Sequence, residues 1–529
     1  MSTDYDVIII GSGAGGGTMA RALAPTGKRI LILERGGFLP KEAENRDTTA
    51  VAVQHRYAPM ETWYFNGKPF RPSHPHYYVG GSTKLYGAAM LRLRERDFEQ
   101  VEHAGGISPA WPITYADLEP YYALAEQWYY VHGAAGADPS EPPRSGPFPY
   151  APLAHEPRIQ RLNDDLEQMG YRPFPLPMGL RLGYEDGEPG PETSLSLLAQ
   201  FDGYPDPTES KADAQVVGIK HALAYPNVSL KTGAYVARLE TDAGGRRVTG
   251  VVVSEADGAE TTYRSDLVIV AAGAINSAAL FLRSKNDRRP DGLANSSGQV
   301  GRNYMCHNNA TLLAIGKEPN DAIFEKTLGL ADFYWGAEEW PYPMGFIQMQ
   351  GKVDSVLMEW ESPEPIAGMT HAQMAQHSLD FWLQSEDLPD PENRVSLNAE
   401  DQIVLQYTRN NFEAHERLTV RLKAMLDRIG AHDRLIPMNY YFGHQFPFNL
   451  AHEMGTLKMG LDPATSVLDP LCRPHDLDNV YVTDGSFFVS AGAVNPTLTI
   501  VAQTLRVADH LRQRLGAEAL ALPVANQSR

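Results

Sequence analysis

Apolar and polar positions alternate along this chain with two clear periods. Val7 to Ile10 is a fully apolar run, followed by Gly11-x-Gly13-x-x-Gly16, a helix-like "TMARALA", a turn at "PTGK" and a second apolar run, "RILILE". This pattern predicts a strand, a Gly-rich turn, a helix and a second strand within about thirty residues. Residues 226 to 275 read as short strands broken by GG and DG turns, a meander ending in the buried strand Leu267 to Val270. A helix, "AALFLRS", follows it. From 411 to 429, Leu418, Leu422, Met425 and Ile429 recur at helical spacing, which predicts a packing helix with no chemical role. Near the end, Val480 to Thr483 reads as a strand and Asp484-Gly485 as a turn. A helix then starts at about Pro496, with Leu498, Val501, Leu505 and Ala508 on its apolar face. Asn495 is a favoured N-cap and Pro496 a favoured first helical residue.

The Pro/Gly-rich stretch 134 to 150 predicts an exposed excursion, and no repeat or low-complexity tract is evident. Four of the seven Trp (335, 340, 360 and 382) fall in the middle third, a composition that suits flat ligands or sugar rings as well as plain core. These patterns imply an α/β protein: a Rossmann-like nucleotide domain assembled from discontinuous segments, with a mixed sheet-plus-helix substrate domain. The expected boundaries are 1–95, 206–310 and 446–529 for the nucleotide domain, 96–205 for an irregular insertion, and 311–445 for the substrate domain.

Composition narrows the function. The 529 residues carry a net charge of −19, which disfavours binding to nucleic acid, and no basic run suggests a membrane patch. Only Cys306 and Cys472 occur, so neither a disulfide framework nor a Cys-rich metal site is available, and two buried thiols are expected. No signal peptide and no run of about twenty apolar residues is visible, so a cytoplasmic protein is expected. The His residues at 74, 76, 307 and 444 lack helical i, i+4 pairing with an acidic ligand, so no metal is expected. No G-x-S-x-G elbow points to a hydrolase.

The opening motif carries specific chemistry. Gly11 permits a tight turn, Gly13 lets backbone approach a pyrophosphate, and Gly16 lets the helix pack on the strand. Glu34 ends the second strand, where its carboxylate can accept from ribose hydroxyls. An ordinary NAD enzyme would continue with βα units. Here the next hundred residues are rich in Tyr, Pro, His and Gly, which fits a bound FAD in a split domain.

Several motifs in order resemble the glucose–methanol–choline oxidoreductase family of FAD enzymes. They are the fingerprint with Glu34, "VGGSTKLYGA" (79 to 88), "GAINSAALFLRS" (273 to 284), "VGRNY" (300 to 304), "AHEMGTLKMG" (451 to 460) and the "DG…NPTLT" ending. The resemblance implies that Gly11, Ser12, Gly13, Ala14, Gly15, Gly16, Glu34 and Arg35 contact FAD. It extends that role to Gly81, Ser82, Tyr86, Gly87, Val236 and Ala272, and to Asp484, Gly485, Asn495, Pro496 and Thr497. It also implies that His452 takes the substrate hydroxyl proton as hydride passes to flavin N5, while Asn495 bonds the substrate oxygen. The helix start after Asn495 would face the flavin N1–C2 edge.

Two positions depart from the family pattern. Tyr86 stands where Asn or His is usual. Lys84 stands where pyranose oxidases with covalent flavin carry His, so non-covalent FAD is expected; a solvated Lys84 with no role is the alternative. Residues 306 to 382 are expected to form much of the substrate wall, with His444 and Gln445 as further candidates.

"SEDLPDPENRVSL" (385 to 397) and Asn495 resemble the bacterial pyranose oxidase and glycoside 3-oxidase branch. A sugar or glycoside hydroxyl is therefore the expected substrate, with oxygen or another acceptor reoxidising the flavin. A dehydrogenase passing electrons to quinone or protein, a non-redox lyase of the same fold, and a non-catalytic FAD-binding protein remain open, as does oligomeric state.

Overall fold

The computed structural model describes residues 4–185, 188–189, 200–255, 257–316, 318–361, 365, 368–429, 434–440 and 451–523. Its central sheet has five parallel strands drawn from distant parts of the chain. Their order is Val228–Lys231, Ile30–Leu33, Tyr5–Ile10, Ser265–Val270 and Val480–Val482. Val7 to Ile10 and Ile30 to Leu33 are buried throughout, which is why these strands read as continuous apolar runs rather than alternating ones. The meander is shorter than the sequence pattern suggests. Only Tyr235–Thr241, Val248–Ser254 and Glu260–Tyr263 form it, while the flanking Val228–Lys231 and Ser265–Val270 join the parallel sheet.

Helix Ala14–Leu23 packs against the last helix, Thr497–Arg514, and helix Tyr115–Trp128 packs on that last helix too. A second sheet of six strands is antiparallel, in the order Arg434–Tyr440, Asn308–Ile315, Ser378–Ser385, Phe346–Met349, Leu328–Leu330 and Phe174–Pro175. Helix Phe412–Ile429 covers one of its faces. Leu418, Leu422 and Met425 there meet Leu379, Phe381, Leu383, Ile347 and Met349 in one core, as the helical spacing requires. The alternation of a strand turns Thr311, Gln348 and Trp382 to the opposite face. These three are direct cross-strand neighbours, Thr311 opposite Trp382 and Trp382 opposite Gln348.

The 134–150 stretch is not the exposed excursion its composition suggests. Its polar side chains are drawn inward by buried charges. Arg94 reaches Asp138 at 2.5 Å, and Arg144 reaches Glu126 on helix Tyr115–Trp128 at 2.5 Å. Glu126 also takes a bidentate pair from Arg92, at 2.8 and 2.9 Å. Two buried guanidinium groups therefore share one buried carboxylate. Glu126→Ala should destabilise the fold by roughly 3 kcal/mol, because it removes the carboxylate both guanidinium groups share and leaves Arg92 with Glu119 and Arg144 with Glu141. A urea midpoint unchanged from wild type would contradict this.

Candidate active site

One cavity of about 460 Å³ runs between the two sheets, whereas two smaller ones hold about 10 and 20 Å³. Its first end is built on the Gly-rich turn. Gly11 has φ +95°, and a Cβ there would meet the Ala271 carbonyl at 2.3 Å. Helix Ala14–Leu23 starts without any side-chain cap, so its first amides face the cavity unmasked. Glu34 is buried, and burial raises its carboxyl pKa despite the hydrogen bonds that oppose it. One of its oxygens accepts from Ser12 N (3.1 Å) and Ser12 Oγ (2.6 Å), and the other from Gly36 N (2.9 Å). Arg35 lies 3.7 Å from the Tyr77 ring centroid and 4.7 Å from that of Tyr235, and pairs with Glu61 at 3.0 Å.

Every site residue expected from the sequence borders this cavity except Gly16. Gly16 packs against Gly11 instead, where a Cβ would meet the Gly11 carbonyl at 2.0 Å. Asp484 clamps two motifs together. Its carboxylate accepts from Gly273 N (3.0 Å) and Ser277 Oγ (2.5 Å) on one side and from Ser486 N (2.9 Å) on the other. Tyr86 spends its hydroxyl on the Ala212 carbonyl (2.8 Å), so its ring is what the cavity meets. Lys84 is not solvated: it is buried and pairs with Asp213 at 2.7 Å.

The other end of the cavity holds His452 and Asn495. Met305 and Met454 exchange both backbone hydrogen bonds (3.0 and 2.9 Å), an antiparallel bridge. Two residues after Met305 and two before Met454, His307 faces His452, and their Nδ1 atoms are 3.1 Å apart. Burial first, then His307, Lys326 and His74, hold the His452 pKa well below the usual histidine range.

Asn495 does not cap the last helix. That helix runs Thr497–Arg514, its cap position is Pro496, and no side-chain cap bond is made. The Asn495 Oδ1 instead accepts from Gln348 Nε2 at 3.0 Å. The first amides of that helix are therefore left without a side-chain cap, and the Asn495 side chain borders the cavity.

The GMC oxidoreductase models match residues 77–309 and 389–504. A "6'''-hydroxyparomomycin C oxidase" of Streptomyces lividus is 31% identical, with 97% of this chain and 92% of that protein aligned. The chain belongs to the GMC oxidoreductases. It is thus an oxidoreductase of a flavoprotein family that oxidises alcohols.

Two further GMC relatives are "Paromamine 6'-oxidase" of Streptomyces fradiae (31% identical, covering 95% and 90%) and "2-methyl-1,2-propanediol dehydrogenase" of Mycolicibacterium austroafricanum (28%, covering 96% and 95%). In fold, it is similar to pyridoxine 4-oxidase from Mesorbium loti, at TM-score 0.65 and 17% identity, covering 96% and 99% of the two chains.

From the 306–382 stretch expected to form much of the substrate wall, Thr311, Lys326, Gln348, Gln350 and Trp382 border the cavity, and His74 and His76, given no site role from the sequence, border it as well. Polar residues alternating inside the apolar runs "FIQM" and "LDFWLQS" were the available signal. His74, His76 and His307 belong to no metal cluster: among the described residues no group of three His, Cys, Asp or Glu is arranged to hold an ion. Cys306 and Cys472 are free and buried. His444 and Gln445 lie outside the described residues. Among those residues, no helix is long and apolar enough to cross a membrane.

Proposed function

We propose that this GMC oxidoreductase oxidises a hydroxyl of a sugar or sugar glycoside to a carbonyl. The observation that carries the reading is the single cavity joining the Gly-rich turn and Glu34 to His452 and Asn495. The turn and its uncapped helix would hold the FAD pyrophosphate, and Glu34 the ribose, through whichever lone pairs its protein bonds leave. Space supports this fit, since a Cβ on Gly13 would meet nothing nearer than 3.8 Å. The uncapped start of helix Thr497–Arg514 would face the flavin edge with free amides. Bound FAD supplies the two-electron oxidant.

His452 takes the proton of the substrate hydroxyl. Its lowered pKa keeps the ring neutral and able to accept at ordinary pH. Asn495 donates to the same oxygen through its amide N–H groups, while its carbonyl oxygen accepts from Gln348. Thr311, Gln348 and Gln350 offer hydroxyl and amide partners beside the Trp382 ring, a floor suited to a sugar. The names of the two relatives at 31% identity support a sugar-derived substrate as well. Non-covalent FAD fits the Lys84–Asp213 pair, which leaves Lys84 engaged.

Anaerobic mixing of the yellow protein with simple sugars, glycosides, aminoglycosides and small alcohols should bleach the flavin with a sugar-type member. Bleaching by the small alcohols alone would refute the substrate class, and admitting air afterwards separates an oxidase from a dehydrogenase. A denatured sample should release its colour; retained colour would overturn non-covalent binding.

A further inference from the structure

We infer that His307 is a positioning residue that fixes which ring nitrogen of His452 carries a proton. This rests on the reading of His452 as the base and extends it to a residue not otherwise given a role. His307 Nε2 lies 3.0 Å from the Gly492 carbonyl oxygen and 3.3 Å from that of Ala491. Carbonyls only accept, so this nitrogen carries the hydrogen. Burial pushes the His307 pKa down to about 4, which leaves a neutral ring and a bare lone pair on Nδ1. That lone pair points at His452 Nδ1, 3.1 Å away. Two lone pairs at this separation repel, so His452 Nδ1 must hold the proton and donate it to His307. Neutral His452 then has its lone pair on Nε2, the nitrogen a base needs toward a ligand. The opposite tautomer would set lone pair against lone pair and offer the substrate an N–H.

The backbone that orients His307 is itself anchored. Ser490 Oγ accepts from Trp111 Nε1 (2.7 Å), Ala491 N donates to Glu386 Oε1 (3.2 Å), and Ala493 N donates to the Tyr334 hydroxyl (3.0 Å). This segment continues directly into Asn495, so His307 ties His452 to the segment bearing its partner. On the far side, the Asp387 carboxylate accepts from the backbone N–H groups of Cys306 (3.0 Å) and His307 (2.9 Å). His307 and His452 both sit at positive φ, 62° and 60°, a conformation their surroundings must impose. The charged and titratable groups facing the pair are Glu386 toward His307, and Lys326 and His74 toward His452.

The test uses FAD-loaded protein with 15N-labelled histidine, His452 being assigned by the signal lost in His452→Ala. His452 should be protonated at Nδ1 in wild type. His307→Gln keeps an amide N–H for the carbonyls and an oxygen for His452, so it should keep that tautomer and most of the rate of flavin reduction. His307→Phe keeps ring volume but neither polar atom. It should show the Nε2–H form and lose roughly a hundredfold or more in reduction rate, with little change in the substrate concentration for half saturation. An Nε2–H signal in wild type, or an unchanged tautomer in His307→Phe, would overturn the inference. If His307→Phe does not load FAD, the wild-type spectrum alone decides. A shifted tautomer with an undiminished rate would leave the positioning intact and refute His452 as the base.

Discussion

His452→Ala should keep its bound FAD and lose flavin reduction by substrate by roughly 10²–10⁴-fold. The size follows from what remains in the cavity. Asn495 is a neutral amide and cannot take a proton, and His307 meets His452 through Nδ1 from the side away from the backbone carbonyls it bonds. Cofactor content should not change, because the groups expected to hold the nucleotide (the Gly-rich turn, Glu34 and Asp484) make none of their hydrogen bonds to His452. Apparent substrate affinity should change little, since Gln348, Thr311 and Trp382 are untouched. The pH profile adds a sign. A base works when unprotonated, so the rate rises as pH passes upward through the His452 pKa. Burial holds that value well below the usual range near 6.5, so the acid limb should lie on the acid side of it and vanish in the variant. Rapid-mixing absorbance under nitrogen measures both, and a variant as fast as wild type would remove His452 from the chemistry.

Gly15→Ala should fail to accumulate as a folded, yellow protein. A Cβ on Gly15 would lie 1.5 Å from the Thr483 carbonyl oxygen and 2.7 Å from its carbon. Backbone cannot yield there as a flexible side chain would. Thr483 N donates to the Val270 carbonyl at 2.9 Å, holding it to the central sheet, and Thr504 Oγ1 on the last helix donates to the Thr483 carbonyl at 3.3 Å. Relief would require moving helix Ala14–Leu23 away from the sheet, opening the close-packed core beneath it. Gly37→Ala is the control, since a Cβ there meets nothing within 4 Å. The ratio of flavin to protein absorbance, with a thermal melt, distinguishes the outcomes. A stable, fully yellow Gly15→Ala would show that the helix has more freedom than these distances allow.

Gly15 also shows how far a motif reads. The fingerprint marks three glycines by its pattern, at 11, 13 and 16, and Gly15 falls between them. Yet Gly15 is the one pressed hardest against backbone, by a residue 468 positions later in the chain.

The sequence alone determined the elements whose signal is local. Continuous apolar runs at 7–10 and 30–33 became buried parallel strands, and the spacing of Leu418, Leu422 and Met425 became a helix with one buried face. The order of motifs was enough to point to the family. Tertiary structure decided the partners of polar side chains. Lys84 found Asp213, Asn495 turned from its helix to Gln348, and His307 met His452 across 145 residues. Periodicity states which face of an element is apolar, because that depends on neighbours three or four residues away. A hydrogen-bond partner depends on which strands pair and in what register, and burial then makes an unpaired group costly. That constraint acts on the whole chain at once, so it could be satisfied, and seen, only after folding.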